Sequence, residues 1–212
     1  MNKTVQVTYI ANAGVLLNLG DKKILIDGFS HSKLPIYKKT PPEIKKQMIA
    51  GVPPFDSLGL LLFTHEHSDH FDALSTGEFL RHRKNVLMMA NSQVIGEIIK
   101  LYPDLDKKRL VEFDGILGKG AGMMIDGVSI KMISLLHEGK EYQDVENIAY
   151  LVAGAGKRIL HVGDAKPCRE NFAHLQLVNP GIDLLIAPFP YVSLPAARQI
   201  IEKYIQPRQI AV

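Results

Sequence analysis

The residues of this chain with the most legible chemistry are Thr64-His65-Glu66-His67-Ser68-Asp69-His70. Three imidazoles and one aspartate fall within six positions, directly after the apolar run Leu58-Gly59-Leu60-Leu61-Leu62-Phe63. Neutral imidazole offers a nitrogen lone pair near pH 7, which makes histidine the commonest metal ligand. Aspartate adds a charged oxygen. A nitrogen-and-oxygen set of this kind suits zinc, with manganese or iron as alternatives. With histidine at ~4% and aspartate at ~5%, the pattern His-x-His-x-Asp-His arises by chance in roughly 1 of 10³ chains of this length, so a solvated His-rich loop is the weaker reading. Four ligands would fill one tetrahedral site, but adjacent side chains such as Asp69 and His70 tend to point apart. A split between two ions, each completed from elsewhere in the chain, is the more natural arrangement.

The elements that must position this loop can be read from periodicity. The run before it is apolar throughout and predicts a strand buried on both faces, Leu58 to Thr64. The chain opens with alternation of Val5, Val7 and Tyr9 against Thr4, Gln6 and Thr8, followed by Gly14–Leu19 and Lys23–Asp27 around the turn Gly20-Asp21, which together predict a β-meander. Residues 28–57 hold Pro35, Pro41, Pro42, Pro53 and Pro54, with a short helix expected over Glu43–Ala50; a loop this long is usually functional. After the His loop, a helix over Ala73–His82, a strand Asn85–Ala90, a helix Ser92–Tyr102 and a strand Arg109–Phe113 predict βα units. Strands return at Met123–Ile125, Val128–Ser134, Asn147–Ala153 and Arg158–Val162, with Asp126-Gly127 as a hairpin signal. A strand Asp183–Pro188, a helix Ala196–Tyr204 and the start of a strand at Gln209–Val212 close the chain. This order fits an α/β (α+β) fold of two mixed β-sheets face to face with helices outside.

Composition narrows the class. At 212 residues, one domain spanning 1–212 is the default. Twenty-five Lys+Arg against 22 Asp+Glu give a net charge of +3, far from a nucleic-acid-binding arm. Cys168 is the only cysteine, which excludes an intrachain disulfide and a cysteine zinc cage. The stretch Met1–Ile10 lacks the apolar core of a secretory leader, and no apolar run reaches the ~18 residues of a membrane span. The expected location is the cytoplasm.

The sequence resembles the metallo-β-lactamase-fold hydrolase superfamily over essentially its whole length. The family's first element, an Asp ending a strand, is matched by Asp27 in Ile24-Leu25-Ile26-Asp27-Gly28. Its second is the His loop. Its third, a His after a strand, is matched by His137 in Ile133-Ser134-Leu135-Leu136-His137-Glu138-Gly139, and its fourth, an Asp after a strand, by Asp164 in Leu160-His161-Val162-Gly163-Asp164. The resemblance implies a four-layer αββα sandwich with one or two metal ions, zinc first, at one edge. It implies that His65, His67 and His137 hold one ion, that Asp69 and His70 hold the second, and that Asp164 bridges both. Asp27 would lie behind the loop and orient it by hydrogen bonds. The family's final His, just after the last strand, has no counterpart, because the sequence stops at Val212. The expectation is that the natural C-terminus extends further; the rival is a one-metal or weakened two-metal site.

Other candidates read as structural. His161 lies three positions from Asp164 on the opposite face of its strand; His82 sits at a helix end among Arg81, Arg83 and Lys84; His174 is expected on a helix surface. Gly118-Lys119-Gly120-Ala121-Gly122 lacks the ending of a phosphate-binding loop and reads as a turn. Cys168 reads as a packed thiol. His31, in the long loop after Asp27, is a candidate for a substrate role. Asn12 stands where many relatives of the nearest branch carry His.

Two divalent cations would lower the pKa of a shared water toward ~7 and polarise a carbonyl or phosphoryl oxygen, with Asp69 and Asp164 holding the ions and helping handle the proton. No serine or cysteine nucleophile is required. The resulting expectation is a metal-dependent hydrolase of a small, anionic or phosphorylated ester or lactone. The tail Asp69-His70-Phe71-Asp72 resembles the branch that includes L-ascorbate-6-phosphate lactonase. Lys33, Lys38, Lys39, Lys45 and Lys46 either attract an anionic substrate or form a solvated face. The alternatives are a phosphodiesterase or nuclease on the same fold and a non-catalytic module stabilised by its metal. A small-molecule partner is expected rather than nucleic acid; the sequence leaves the oligomeric state open.

Overall fold

The structure is a computed structural model and describes residues 4–212. Met1–Lys3, the head of the segment read for a secretory leader, lie outside the described residues. The chain divides into two compact units, Met1–Phe113 and Asp114–Val212.

The first unit carries a six-stranded sheet in sequence order: β1 (Gln6–Ala11), β2 (Gly14–Asn18), β3 (Lys23–Ile26), β4 (Leu58–Leu62), β5 (Leu87–Ala90) and β6 (Leu110–Glu112). β1 to β3 form the expected antiparallel meander, and β3 to β6 run parallel, so the sheet is mixed. Parallel pairing needs crossovers, and α2 (Ala73–His82) and α3 (Ser92–Leu101) supply those after β4 and β5. Both helices fall within a residue of the periodicity reading. The Asn91 side chain accepts from Val94 N at 2.8 Å and caps α3. The core alternates as strand geometry demands: Leu25, Leu61 and Met88 pack with Phe79, Leu80, Val94 and Ile98 of the helices, while Ile24, Ile26, Leu60, Leu62 and Met89 are buried on the other face. The helix α1 (Pro42–Ala50) also lies where expected, ended by Gly51 in the left-handed conformation.

The second unit holds β7 (Gly120–Ile125), β8 (Val128–Leu136), β9 (Glu146–Gly154), β10 (Lys157–His161), β11 (Leu184–Ile186) and β12 (Gln209–Ala211), again neighbours in sequence order. β7 to β10 are antiparallel and β10 to β12 parallel. Asp126 and Gly127 both take positive φ, the conformation a two-residue hairpin turn needs. The short helices α4 (Arg169–Phe172) and α5 (Pro190–Ser193) pack on this sheet through Phe172 and Tyr191, and Ile201, which follows α6 (Pro195–Ile200), joins them against Leu160, Val162 and Leu185. Two expectations are corrected here. Gly120 to Gly122 belong to β7 rather than to a turn, and Gly120 lies so close to β8 that a β-carbon would come within 2.5 Å of Met132 O. The helix expected over Ala196–Tyr204 begins at Pro195 and loosens into a π-helical turn at Ile201–Ile205. Both units are thus mixed sheets flanked by helices, the two-sheet architecture that the sequence pattern implies.

Candidate metal centre

In the first unit β3 and β4 end side by side, and the next residues carry the chemistry. Asp27 takes φ 49°, a left-handed backbone that Asp tolerates better than most residues, and its N–H donates to Leu62 O at 3.0 Å. Its carboxylate is fully buried. One oxygen accepts from Thr64 N at 2.8 Å; the other accepts from Thr64 Oγ1 at 2.7 Å and faces His70 Nδ1 at 2.9 Å. Gly14 makes this approach feasible: a β-carbon there would lie 2.6 Å from Asp27 O.

Proton bookkeeping then orients two imidazoles. A carboxylate only accepts, so His70 Nδ1 donates to Asp27 and its Nε2 carries the lone pair. The single Thr64 hydroxyl proton goes to Asp27, so the contact of Thr64 Oγ1 with His65 Nδ1 at 2.9 Å is donated by His65, which likewise leaves Nε2 as the lone pair. Ligand atoms of His65 lie within 4.8 Å of those of His67 and of His70. The ring centroids are 4.7 Å and 4.1 Å apart. Asp69 Oδ2 sits 3.6 Å from His70 Nε2. Asn12 holds that carboxylate, its Nδ2 donating to Asp69 Oδ2 at 3.0 Å and to Asp69 O at 3.1 Å.

The second unit builds its part differently. β8 and β10 flank β9 and run in the same direction, so His137 and Asp164 emerge at one edge of the sheet. An isolated bridge joins His137 to Ala165, Glu138 N donates to Asp164 O at 2.8 Å, and Lys166 N donates to Leu136 O at 2.8 Å. His137 Nδ1 donates to the Glu138 carbonyl, which leaves Nε2 to face Asp164 Oδ2 at 3.9 Å. Three buried neutral groups pin this edge. Asn147 accepts from Asp164 N at 3.0 Å and donates to Val162 O at 3.1 Å. Asn171 accepts from Leu136 N at 2.8 Å and donates to Leu136 O at 2.9 Å and Lys166 O at 2.8 Å. Tyr191 Oη donates to Ala165 O at 2.7 Å, and burial pushes its hydroxyl well above the usual tyrosine range, so it stays a donor. A cavity of about 480 Å³ in this unit has His137 in its wall, with Leu117, Leu136, Tyr142, Lys140 and Lys166 around it.

Both units therefore pair an imidazole Nε2 with a carboxylate oxygen at 3.6 and 3.9 Å, too long for a hydrogen bond. Two ligands about 2.0–2.1 Å from a tetrahedral ion lie roughly 3.3 Å apart, so the two pairs would close by about 0.3 and 0.6 Å to share a cation. The histidine-and-aspartate donor set fits a divalent ion. His31 is anchored at the margin: its N–H donates to Ser68 O at 2.8 Å and its ring Nδ1 meets Phe71 O at 3.0 Å. Lys45 is bonded to Asp72 and Ser75. Burial would raise the Asp72 carboxyl, but the bonds from Lys45 and Ser75 outweigh it and hold the group below its ordinary value.

The remaining candidates take structural places. His161 is buried and accepts from Gly163 N through Nδ1. His82 is exposed against Glu78 O, and His174 lies in the turn after α4, with Nε2 at 3.2 Å from Gly118 O. Burial pushes the Cys168 thiol up, away from a reactive thiolate. Asn147, Asn171 and Tyr191 were given no role by sequence reasoning. The available signal was a polar residue opening the buried run Asn147-Ile148-Ala149-Tyr150-Leu151-Val152.

The pattern of the beta-lactamase superfamily domain matches residues 6–191. A UPF0173 metal-dependent hydrolase of Pyrococcus furiosus is 25% identical over 187 residues, covering 87% of this chain and 72% of that protein. Among solved structures, a protein of Parabacteroides distasonis described as a metal-dependent hydrolase superposes with a TM-score of 0.63 at 16% identity, over 97% of this chain and 80% of its own. CmlA, a diiron β-hydroxylase of Streptomyces venezuelae, does so with a TM-score of 0.65 at 16% identity, over 99% of this chain and 44% of its own. The structural likenesses show the fold.

Proposed function

This chain belongs to the beta-lactamase superfamily as a metal-dependent hydrolase of that fold, and from this premise we propose that it hydrolyses a small anionic ester or lactone. In this reading the two units work as one catalytic domain. By the family resemblance, His65, His67 and His137 would hold one ion, Asp69 and His70 a second, and Asp164 would serve both; zinc is the first choice, with manganese or iron as alternatives. The observation that carries the proposal is the imidazole–carboxylate pair in each unit, which lies within a few tenths of an ångström of the spacing of atoms that share a cation.

When bound, the ions supply Lewis acidity and a lowered pKa for water. The protein's own groups do the rest. Asp27 and Thr64 fix the protons of His70 and His65 on Nδ1, so Nε2 of each would bind a metal ion without a prior proton shift. Asp69, held by Asn12, and Asp164, held by Asn147, are the carboxylates that orient water and take a proton. His31, anchored by its backbone to Ser68, stands on the substrate side. The lactonase branch resembled by Asp69-His70-Phe71-Asp72 supports a phosphorylated lactone as the first substrate to try, in the cytoplasm; among the described residues no helix is long and apolar enough to cross a membrane.

The test measures metal content and turnover together, on p-nitrophenyl esters, γ-lactones and bis(p-nitrophenyl) phosphate. The expected result is ester or lactone cleavage that chelation abolishes and metal restores, with His67→Ala and Asp164→Ala losing metal and rate in parallel. Full activity in metal-free protein overturns the proposal. Cleavage of the phosphodiester alone would assign a phosphodiesterase instead. Melting on chelation without any cleavage would assign a metal-stabilised, non-catalytic module.

A further inference from the structure

Between Gly28 and α1 the chain forms a loop with a closed neck and a bare tip. Ser30 N donates to Thr40 Oγ1 at 3.0 Å, Thr40 N donates to Ser30 Oγ at 3.1 Å, and Thr40 Oγ1 donates to Gly28 O at 2.9 Å. Ser30, Ser32 and Thr40 are buried, and Ser32 Oγ accepts from Leu34 N at 3.1 Å. Every residue from 33 to 39 is exposed. This is the anatomy of an Ω-loop, whose ends are fixed while its tip faces outward. The tip reads Lys33-Leu34-Pro35-Ile36-Tyr37-Lys38-Lys39, with three cations and no acid. Leu34 is 57% and Ile36 77% exposed, so neither aliphatic side chain is explained by packing within the fold. The root of the loop is fastened to the candidate metal centre, because His31 bonds both Ser68 O and Phe71 O in the segment that carries Asp69 and His70.

Exposed aliphatic side chains are common on this surface, but here two of them share a seven-residue tip with three lysines and no acid, a combination of apolar and cationic character that complements an anion carrying an apolar arm. We propose that this loop is the specificity element of the centre and that its ligand is a soluble anionic amphiphile. Leu34 and Ile36 take an apolar arm, and Lys33, Lys38 and Lys39 meet a phosphate or carboxylate group. Lys45 is not among these cations, since Asp72 already holds it. The proposal narrows the substrate class of the hydrolase reading and rests on that reading only for calling the ligand a substrate.

The probe is octyl phosphate, titrated into the metal-loaded protein by calorimetry, with inorganic phosphate and octanol as references. Octyl phosphate is expected to bind at least about tenfold more tightly than either reference, a difference calorimetry resolves readily. Leu34→Ser with Ile36→Ser should erase the preference over inorganic phosphate. Lys38→Glu with Lys39→Glu should erase the preference over octanol and flatten the salt dependence. These exposed positions can change without unfolding the protein, which circular dichroism checks. Equal affinity for octyl and inorganic phosphate, or a preference that survives both double variants, overturns the proposal. So does sedimentation with phosphatidylglycerol vesicles without tightening for the monomeric probe, which assigns a membrane surface instead. The hydrolase reading fails separately: octyl phosphate would then bind with the expected variant pattern while no ester, lactone or phosphodiester is cleaved.

Discussion

The two units present similar chemistry on different supports. In the first, a buried charge organises the ligands: Asp27 accepts from Thr64 twice and from His70 once. In the second, neutral groups organise the edge: Asn147, Asn171 and Tyr191 hold backbone atoms of residues 136, 162, 164, 165 and 166. The ligands explain the difference. The first unit supplies mainly imidazoles, each of which must keep one nitrogen proton-free, and an anion acting directly or through a hydroxyl fixes that proton. In the second unit Asp164 needs its backbone placed rather than its protons sorted, and an amide that both donates and accepts can bind adjacent N–H and C=O groups of the chain.

The sharpest way to break this contrast is to exchange the supports. Asp27→Ala strands a buried N–H, a hydroxyl and an imidazole N–H, and at about 1–3 kcal/mol for each stranded buried group it should cost about 3–5 kcal/mol. At roughly 2–4 °C per kcal/mol for a chain of this size, the melting temperature should fall by on the order of 10 °C. Asp27→Asn should keep more stability but lower metal affinity about 10–100-fold, because its amide presents donors to donors. Thermal melts of metal-free protein and competitive metal titrations read the two effects. Loss of stability without loss of metal affinity would show that Asp27 is only a core residue.

Asn171→Ala ranks next. It frees one N–H and two carbonyls, and each stranded group costs about 1–3 kcal/mol when buried. Leu136 and Lys166 are partly open to water, so a total of about 2–3 kcal/mol is expected. Asn171→Asp should be worse than Asn171→Ala, because a carboxylate would face the carbonyls of Leu136 and Lys166. A variant as stable as wild type would end the claim that neutral amides are required in the second unit.

Thr64→Val removes the hydroxyl between Asp27 and His65 at nearly constant volume. It should cost about 1–2 kcal/mol and weaken metal binding, while Thr64→Ser restores both. Equal metal affinity in Thr64→Val would show that the hydroxyl does not orient His65.

Sequence alone carried the ligands further than their supports. The His loop was legible because its residue types are rare and closely spaced, and α2 and α3 because their apolar residues keep helical period over ten residues each. Asp27 was found through resemblance; its two bonds to Thr64 were not, since residues 37 positions apart carry no local signal. Asn147 and Asn171 escaped for the same reason, and α4 and α5 because four-residue helices have no period to detect. Gly120 and Gly122 were read as turn residues by their type, whereas close strand contact at Gly120 is what excludes a side chain there.

The smallest expected effect lies away from the metal residues, at Asp183, and separates electrostatic support in general from support of the centre. Its Oδ2 accepts from Arg158 N at 2.9 Å, and its Oδ1 meets Lys157 Nζ at 3.1 Å and Arg208 Nη1 at 3.3 Å, tying β10 to the start of β11 and to the segment before β12. The Arg158 N–H bond, with help from Lys157 and Arg208 against a small burial penalty, holds this carboxyl below its ordinary value. A folded-state pKa below the unfolded one means that the charged form stabilises the fold above the unfolded value near 3.9 and ceases to as pH falls through the folded value. Asp183→Asn should therefore cost about 1 kcal/mol at pH 7, since the cationic partners are exposed and screened. The gap to wild type should close below about pH 4, and chelation should leave it unchanged at either pH. Urea melts of both proteins, with and without chelator, measure it. A gap that vanished on chelation at pH 7 would tie Asp183 to the metal centre and erase the distinction between the two kinds of support.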